Sequence, residues 1–224
     1  MASLRQCIAA IFTDSSNFSV LLDKGDIAIR YRRSLHHDVQ VDAVVTGSLH
    51  NMISVLYEVD LWPQHFDCVT FARVVEMSHP LDLTIEFAIK LPVFKPRRFR
   101  LHLQLVYEPG NTMVGALAKG IYAEKQDKQF VDGYIETIAL KLTTESSSKF
   151  RISAAILGVN PSMFVPSWLI NWGVYFIGEK LFRRFLQLVN SPSSEHLHRM
   201  QIDQYGIYCL VSDYITNFGS KDID

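Results

Sequence analysis

The sequence predicts an α+β domain in which a curved antiparallel sheet of about nine strands wraps around one long C-terminal helix. Apolar and polar side chains alternate with the period of a strand for roughly ninety residues after Cys68. The connections between these runs are short, so neighbouring strands are expected to be antiparallel. From Trp168 to Ile177 the chain is apolar almost without a break, and a helix that is apolar on most sides must be buried.

Composition favours a domain with a large core. The chain has 224 residues, of which 48% are hydrophobic and 20% charged, so its core needs no disulfide bonds. The net charge of −1 provides no attraction to nucleic acid. The three cysteines, Cys7, Cys68 and Cys209, are odd in number and far apart, which indicates reduced thiols and a cytoplasmic location. We expect a monomer.

Before Cys68 the pattern predicts two helices and three strands. They are a helix over Leu4–Phe12, strands over Phe18–Leu22, Ile27–Arg32 and Val39–Thr46, and a helix from Ser48 to Glu58. Gly25 lies between two alternating runs, which is typical of a hairpin. Ser48 is suited to the N-cap position of the second helix, and Pro63 follows where that helix should have ended.

After Cys68 the pattern predicts six more strands. They cover Val69–Glu76, Leu83–Leu91, Arg100–Tyr107, Met113–Lys119, Tyr134–Thr143 and Phe150–Leu157. We expect all nine strands to form one meander in sequence order, interrupted once by a helix. A twisted sheet of this size curls, and one long helix cannot easily fill its hollow side. The prediction is an apolar interior cavity, with a fully packed core as the alternative.

The last long helix follows Pro161 and Pro166 and runs to Leu188. The uncharged run over Ile152–Gly178 has the length to cross a bilayer, but the prolines interrupt it and its first part alternates like a strand. We therefore expect no transmembrane helix. A Ser-Pro-Ser-Ser stretch from Ser191 predicts a domain edge, which leaves residues 1–190 as one domain and 191–224 as a C-terminal extension of unknown role. In this extension the pattern indicates one short helix or strand over Tyr205–Tyr214.

Several local motifs, taken in order, resemble one known family. They are Ile29-Arg30-Tyr31-Arg32, Leu56-Tyr57-Glu58-Val59-Asp60-Leu61-Trp62-Pro63, Leu91-Pro92-Val93-Phe94-Lys95-Pro96-Arg97-Arg98-Phe99, Asn160-Pro161 and Val165-Pro166-Ser167-Trp168-Leu169-Ile170-Asn171. Their order and spacing resemble the START family (steroidogenic acute regulatory protein-related lipid-transfer domains) over Leu4–Val189. Arg98 and Asn160 stand where that family usually or often has Asp.

The resemblance implies a helix-grip fold with a tunnel between the curved sheet and the C-terminal helix. One lipid would bind there, and the loop at Lys90–Arg98 would act as a gate. Family members carry sterols, glycerophospholipids or sphingolipids and need no cofactor. Some sterol-binding members place an Arg on the strand after the Pro-rich loop, whereas this chain has Leu101, Leu103 and Leu105 there, so the lipid stays open. The function implied is transfer of a lipid between membranes.

Two groups of residues are the candidate sites. The expected lipid-binding residues are Phe71, Arg73, Phe87, Leu101, Leu103, Leu105, Tyr134, Glu136, Ile138, Trp168, Trp172 and Phe176. The expected membrane-contacting or gate residues are Val93, Phe94, Lys95, Arg97, Arg98, Lys180, Arg183 and Arg184. Arg73 and Glu136 are in phase with apolar neighbours, and as an inward charge pair they could hold a lipid head group. Basic and apolar residues together suit transient contact with an anionic membrane.

Catalytic and metal-binding patterns are weak in this sequence. The chain contains no Gly-x-Ser-x-Gly, Walker or Cys-x-x-Cys motif, and the histidines at 36, 37, 196 and 198 lie in polar stretches. We expect neither a catalytic residue nor a metal. Two other functions stay open: an enzyme that uses the same cavity, such as a cyclase or hydrolase, and a regulatory or scaffold domain that senses lipid or has its cavity filled.

Overall fold

The computed structural model describes residues 3–13, 17–33, 36–90, 94–107, 113–122, 128–146, 148–160 and 167–219. Side chains are described in these ranges except at residues 5, 107, 113, 167–172, 174–177 and 214–219. The elements in chain order are α1 (Leu4–Thr13), β1 (Ser19–Asp23), β2 (Ile27–Arg33), β3 (His37–Thr46), α2 (Leu49–Tyr57), a 3₁₀ turn (Val59–Leu61), α3 (Trp62–His65), β4 (Val69–His79), β5 (Asp82–Ile89), β6 (Arg97–Tyr107), β7 (Met113–Gly120), β8 (Val131–Asp132), β9 (Tyr134–Ser146), β10 (Lys149–Asn160), α4 (Ser167–Asn190), α5 (Ser194–Ile202) and α6 (Ile207–Gly219).

One antiparallel sheet has the order β1-β2-β3-β10-β9-β7-β6-β5-β4, and β8 pairs in parallel with β6. The nine predicted strands are confirmed, but the expected single meander in sequence order is wrong. β3 pairs with β10 instead of β4. The helices after β3 carry the chain to the far edge of the sheet, where β4 starts a second meander. The sheet is therefore unclosed, with β1 and β4 at its edges.

The outer face of the sheet carries α1. Ile8 is fully buried against Leu117, Ala139 and Ala155. A Cβ at Gly115 would lie 3.0 Å from the Ile8 Cδ1 atom, so glycine lets the helix approach β7 closely. The predicted helix over Leu4–Phe12 is confirmed.

The hollow face carries α2 and the second half of α4. Met52 of α2 and Val189 of α4 are almost completely buried, and they belong to the same core cluster as Val45 and Phe150 of the sheet. Ser48 occupies the N-cap position of α2 as expected, although its side chain makes no cap hydrogen bond. Among the described residues, no helix combines the length and the apolarity that a membrane span requires.

The chain after Asn190 forms two helices, α5 and α6, that pack against α2. The Tyr208 hydroxyl donates a hydrogen bond to buried Glu58 at 2.8 Å, and Arg199 donates to Glu58 at 2.9 Å and to Asp60 at 2.8 Å. Ser193 caps α5. Sequence reasoning indicated only one short helix or strand in this segment, over Tyr205–Tyr214, and it missed α5.

The contact of α5 with α3 makes stability depend on pH. His196 is 1% exposed, and its ring lies 5.0 Å from that of His65. Burial, with the positive charges of His65 and Arg199 as smaller causes, lowers the pKa of His196 from 6.5 to about 4. Between these values the unfolded chain binds a proton that the folded chain does not bind. We therefore expect the free energy of unfolding to fall by about 3 kcal/mol as the pH drops from 6.5 to 4.

Urea denaturation across this pH range measures that loss. His196→Gln should flatten the dependence, whereas His198→Gln, which changes an exposed position on the same helix, should leave it unchanged. Equal slopes for the wild type and His196→Gln would contradict the prediction.

Candidate functional site

The hollow face of the sheet is the candidate site, because its central strands expose apolar side chains that no described side chain fully covers. Leu103 and Leu105 of β6, Ile138 of β9 and Ile156 of β10 belong to this face and are only partly buried. Leu101, on the same face of β6, is 1% exposed. The hollow side of the sheet is therefore fully covered at Leu101 and only partly covered at Leu103 and Leu105.

Aromatic rings close the end of this face nearest to the β5–β6 loop. Phe87 and Phe99 have ring centroids 5.5 Å apart, and Trp62 packs edge-on against Phe87 at 6.0 Å. The Trp62 Nε1 atom donates a hydrogen bond to the Val55 carbonyl at 2.9 Å. The Trp62-Pro63 motif thus positions a ring against the sheet, and Phe87 lies on the hollow face as expected.

Phe71 and Arg73 do not point into the hollow, which corrects the expected inward orientation. A bulge between Val69 and Phe71 shifts the alternation of β4 by one residue, so Ala72 faces the hollow with Phe87. Phe71 and Arg73 therefore lie on the opposite face.

Arg73 has a different partner from the expected one. Its guanidinium donates to buried Glu86 at 2.7 Å, and the Arg98 Nη1 atom lies 3.8 Å from the same carboxylate. Glu136, by contrast, is exposed beside Gly158. The expected charge pair of Arg73 with Glu136 is not formed, and the head-group role that we assigned to it has no structural support.

Tyr134 lies at the rim of the sheet. Its ring stacks on that of Tyr122 at 4.5 Å, and Tyr122 is 75% exposed. A Cβ at Gly120 would lie 2.7 Å from the Tyr134 ring, so a glycine makes room for this stack. Contact of Tyr134 with a ligand stays a prediction.

For four of the expected site residues, the side chain or the whole residue lies outside the part of the chain that the structure describes. The backbone of Trp168, Trp172 and Phe176 belongs to α4, but their side chains are outside the described residues. Val93 is outside them altogether.

The expected gate cations differ in their accessibility. Arg97 and Arg98 are 7% and 8% exposed. Arg98 binds Asp132 at 2.7 Å, and the Arg97 guanidinium lies 5.5 Å from the centre of the Phe94 ring, where burial lowers its pKa. Lys95 is exposed. Arg98 therefore links β6 to β8, whereas Arg97 contacts Phe94 and the Lys95 carbonyl of the preceding loop. Contact of either arginine with a membrane stays a prediction.

The cations of α4 are on the surface. Lys180 and Arg183 are 73% and 68% exposed, although each has an acidic partner, Asp67 and Glu179 respectively. Arg184 is also exposed. This part of α4 presents three cations to solvent.

Two tyrosines near the hollow are bound to other protein groups. The Tyr57 hydroxyl donates to the Pro80 carbonyl at 3.1 Å, and Tyr208 donates to Glu58. Burial raises the pKa of both tyrosines, so both stay neutral. Their hydrogen bonds dock structural elements and do not orient a nucleophile.

A separate polar groove of 210 Å³ lies beside β4–β6. The Asp82 carboxylate accepts hydrogen bonds from His102 at 2.8 Å and from Ser78 at 3.1 Å, and the first of these holds the pKa of Asp82 below its usual range. Both groups bind the same Asp82 oxygen. In a catalytic triad the serine hydroxyl is hydrogen-bonded to the imidazole, which takes its proton. Here the Ser78 hydroxyl is hydrogen-bonded to the Asp82 carboxylate instead, so Ser78, His102 and Asp82 do not form a catalytic triad.

The closed and open parts of the hollow face should respond differently to truncation. Leu101→Ala should lower the free energy of unfolding by about 2–5 kcal/mol, because it leaves a cavity in a closed core. Leu103→Ala should lower it by at most about half as much, because its side chain is already partly exposed. Urea denaturation of both variants measures the difference. Equal losses would show that the face is packed at Leu103 as well.

No protein-family model matches the chain, and no curated protein sequence does. Solved structures do match. Human STARD10 is 9% identical, with a TM-score of 0.76 over 95% of this chain and 89% of that one. Human StAR-related lipid transfer protein 5 is 12% identical, with a TM-score of 0.66 over 83% of this chain and 95% of that one. A STAR-related lipid transfer protein from Xanthomonas axonopodis is 13% identical, with a TM-score of 0.62 over 78% of this chain and 99% of that one.

These similarities establish the fold, since all three identities are low. The match to human STARD10 leaves out only a twentieth of the chain, so it extends into residues 191–224. The chain has the START-like helix-grip fold, as its motifs and element order predicted.

Proposed function

We propose that this protein binds a single lipid against the hollow face of its sheet and transfers it between membranes. The observation that supports the proposal best is the partly uncovered row of apolar side chains at Leu103, Leu105, Ile138 and Ile156. Burial of hydrocarbon against them would supply affinity at about 0.8 kcal/mol per methylene group. The fold supports the proposal, because the similar structures include proteins whose names describe them as lipid transfer proteins.

Exchange of the lipid requires the hollow to open at a membrane. We propose that the β5–β6 loop and the first half of α4 move apart there, while the second half of α4 stays anchored through Phe185 and Val189. The exposed cations of α4 would hold the protein at an anionic surface, in a cytoplasmic and monomeric protein.

Two rival functions remain, and each has a distinct signature. An enzyme of the same fold would convert its ligand and needs a free ionisable group in the hollow. A lipid-sensing regulatory or scaffold domain would hold its ligand without exchanging it. Tyr57 and Tyr208 donate hydrogen bonds to protein groups, so neither is the free ionisable group that an enzyme would need.

Filling the hollow should abolish lipid capture. Leu103→Trp combined with Ile138→Trp should occupy the space that a lipid would take. After incubation with vesicles of phosphatidylcholine, phosphatidylserine and cholesterol, native mass spectrometry should detect an intact lipid on the wild type. The double variant should carry none and should fail to move a fluorescent phospholipid between vesicles.

Val20→Trp is the matched control, because Val20 is 61% exposed on the edge strand β1. It should bind and transfer as the wild type does. A wild-type protein without lipid would refute the proposal. A chemically altered lipid would favour an enzyme, and a bound lipid without transfer would favour a sensor.

The cations of α4 should govern membrane binding. Lys180→Gln with Arg183→Gln should weaken binding to phosphatidylserine-containing vesicles by roughly fivefold for each cation removed, and less at high salt. Vesicle co-sedimentation measures this. Lys149→Gln with Arg151→Gln removes two similarly paired, exposed cations from the β9–β10 turn and should have little effect. Equal weakening by both pairs would show that only the total charge matters.

A further inference from the structure

A small apolar cavity lies at the end of the sheet beneath α6. Its volume is 40 Å³. It is lined by Leu49, Ile53, Leu81, Leu105, Val106, Val114, Ile207, Leu210 and Val211. All nine side chains are aliphatic, so a water molecule there would find no side-chain hydrogen-bond partner, and such cavities take apolar groups.

Strand β6 connects this cavity with the opposite end of the hollow. The strand begins at Arg97, directly after the β5–β6 loop, and Leu105 near its other end lines the cavity. Leu101 and Leu103 lie between them on the same face. At about 3.3 Å per residue, the path from Arg97 to Leu105 is roughly 26 Å long. Phe87, Phe99 and Leu101 are buried at the loop end of this face, so a hydrocarbon chain would instead lie against the partly buried Leu103, Ile138 and Ile156. From there it would end against Leu105 and α6.

Hydrogen bonds in its first two turns hold helix α6 in place. The Asp203 carboxylate accepts from the backbone N–H groups of Tyr208 and Cys209 at 3.0 and 2.8 Å. The Tyr208 hydroxyl binds Glu58, and Ser212 Oγ lies 2.9 Å from His50 Nε2 of α2. These contacts prevent the helix from sliding along the sheet, so the position of its apolar side chains is defined.

The face of α6 that meets the cavity consists of Ile207, Leu210 and Val211, which have the i, i+3, i+4 spacing of one helical face. Ile207 and Val211 are buried in the core, whereas Leu210 is only partly buried. The size of the side chains at 210 and 211 thus sets how much space remains at this end.

We propose that α6 closes the lipid chamber opposite the β5–β6 loop, and that Leu210 and Val211 limit the length of the hydrocarbon chain that fits. The inference rests on the proposed lipid-binding function. A cavity this small accepts the end of an alkyl chain and not a fused ring system, and we take lipids with flexible acyl chains as the ligand.

The test varies the wall and measures the length of the bound chain. The full-length protein is incubated with vesicles that contain phosphatidylcholine, phosphatidylethanolamine and phosphatidylserine with saturated chains of graded length, together with cholesterol. Bound lipids are identified by native mass spectrometry. Leu210→Ala should shift the bound population toward chains longer by about two carbons, because it removes most of a side chain from the wall. Val211→Phe should shift it toward shorter chains.

Cys209→Ala is the matched control, because Cys209 is exposed on the same helix. It should leave the chain-length distribution unchanged, and thermal unfolding verifies that each variant is folded. If Val211→Phe does not fold, Leu210→Ala alone tests the inference. We expect Leu210→Ala to fold because Leu210 is only partly buried.

The outcomes separate this inference from the function on which it rests. An unchanged distribution in Leu210→Ala, or selective binding of cholesterol by the wild type, would overturn the inference and leave lipid binding intact. A wild-type protein that binds none of these lipids would overturn both.

Discussion

The antiparallel pairing of β3 with β10 is the interaction on which the rest of the structure depends. It joins the meander β1–β3 to the meander β4–β10. Without this pairing, β3 and β10 would each be an additional unpaired edge strand. Buried Asp38 reinforces the joint by accepting hydrogen bonds from the Gly158 N–H at 2.9 Å and from Arg32 at 3.0 Å. Gly158 has a φ of +67°, and a Cβ there would lie 2.5 Å from the Glu136 Cβ, so the bulge at this point requires glycine. Because the two halves form one sheet, its hollow face is continuous.

The described side chains that pack on this continuous face cover only part of it. The second half of α4 and α2 bury one part of it, the aromatic group around Phe87 closes another, and α6 covers the end near Leu105. The middle stays partly open. The polar groups nearest to it, among them Glu58 and Tyr208, are used to dock α5 and α6. The uncovered part of the face is therefore lined mainly by apolar side chains, as is typical of ligand-binding pockets.

Much of this could be predicted from local patterns, and the failures have identifiable causes. Alternation located nine strands and placed Leu101, Leu103 and Leu105 on the hollow face. It failed at Phe71 and Arg73, because a bulge shifts the phase of β4 by one residue and nothing in the composition of the strand shows it. The two-residue strand β8 is too short to show a period. Ile207, Leu210 and Val211 have a helical spacing that the sequence shows. The segment of α5 is mostly polar and shows no such apolar pattern, so this helix was missed. The contact of both helices with α2 joins distant parts of the chain, so no local pattern predicts it.

The sequence by itself determined the local structure: which segments are helices and strands, which faces are apolar, and which motifs resemble lipid-transfer domains. These properties follow from interactions among residues a few positions apart, so they appear as periodicity. The tertiary structure alone decided that β3 pairs with β10, that Arg98 is buried against Glu86 and Asp132, and that α6 closes one end of the hollow. Each of these depends on partners brought together from distant parts of the chain, such as Glu58 and Arg199, and no local pattern specifies which of many compatible partners will meet.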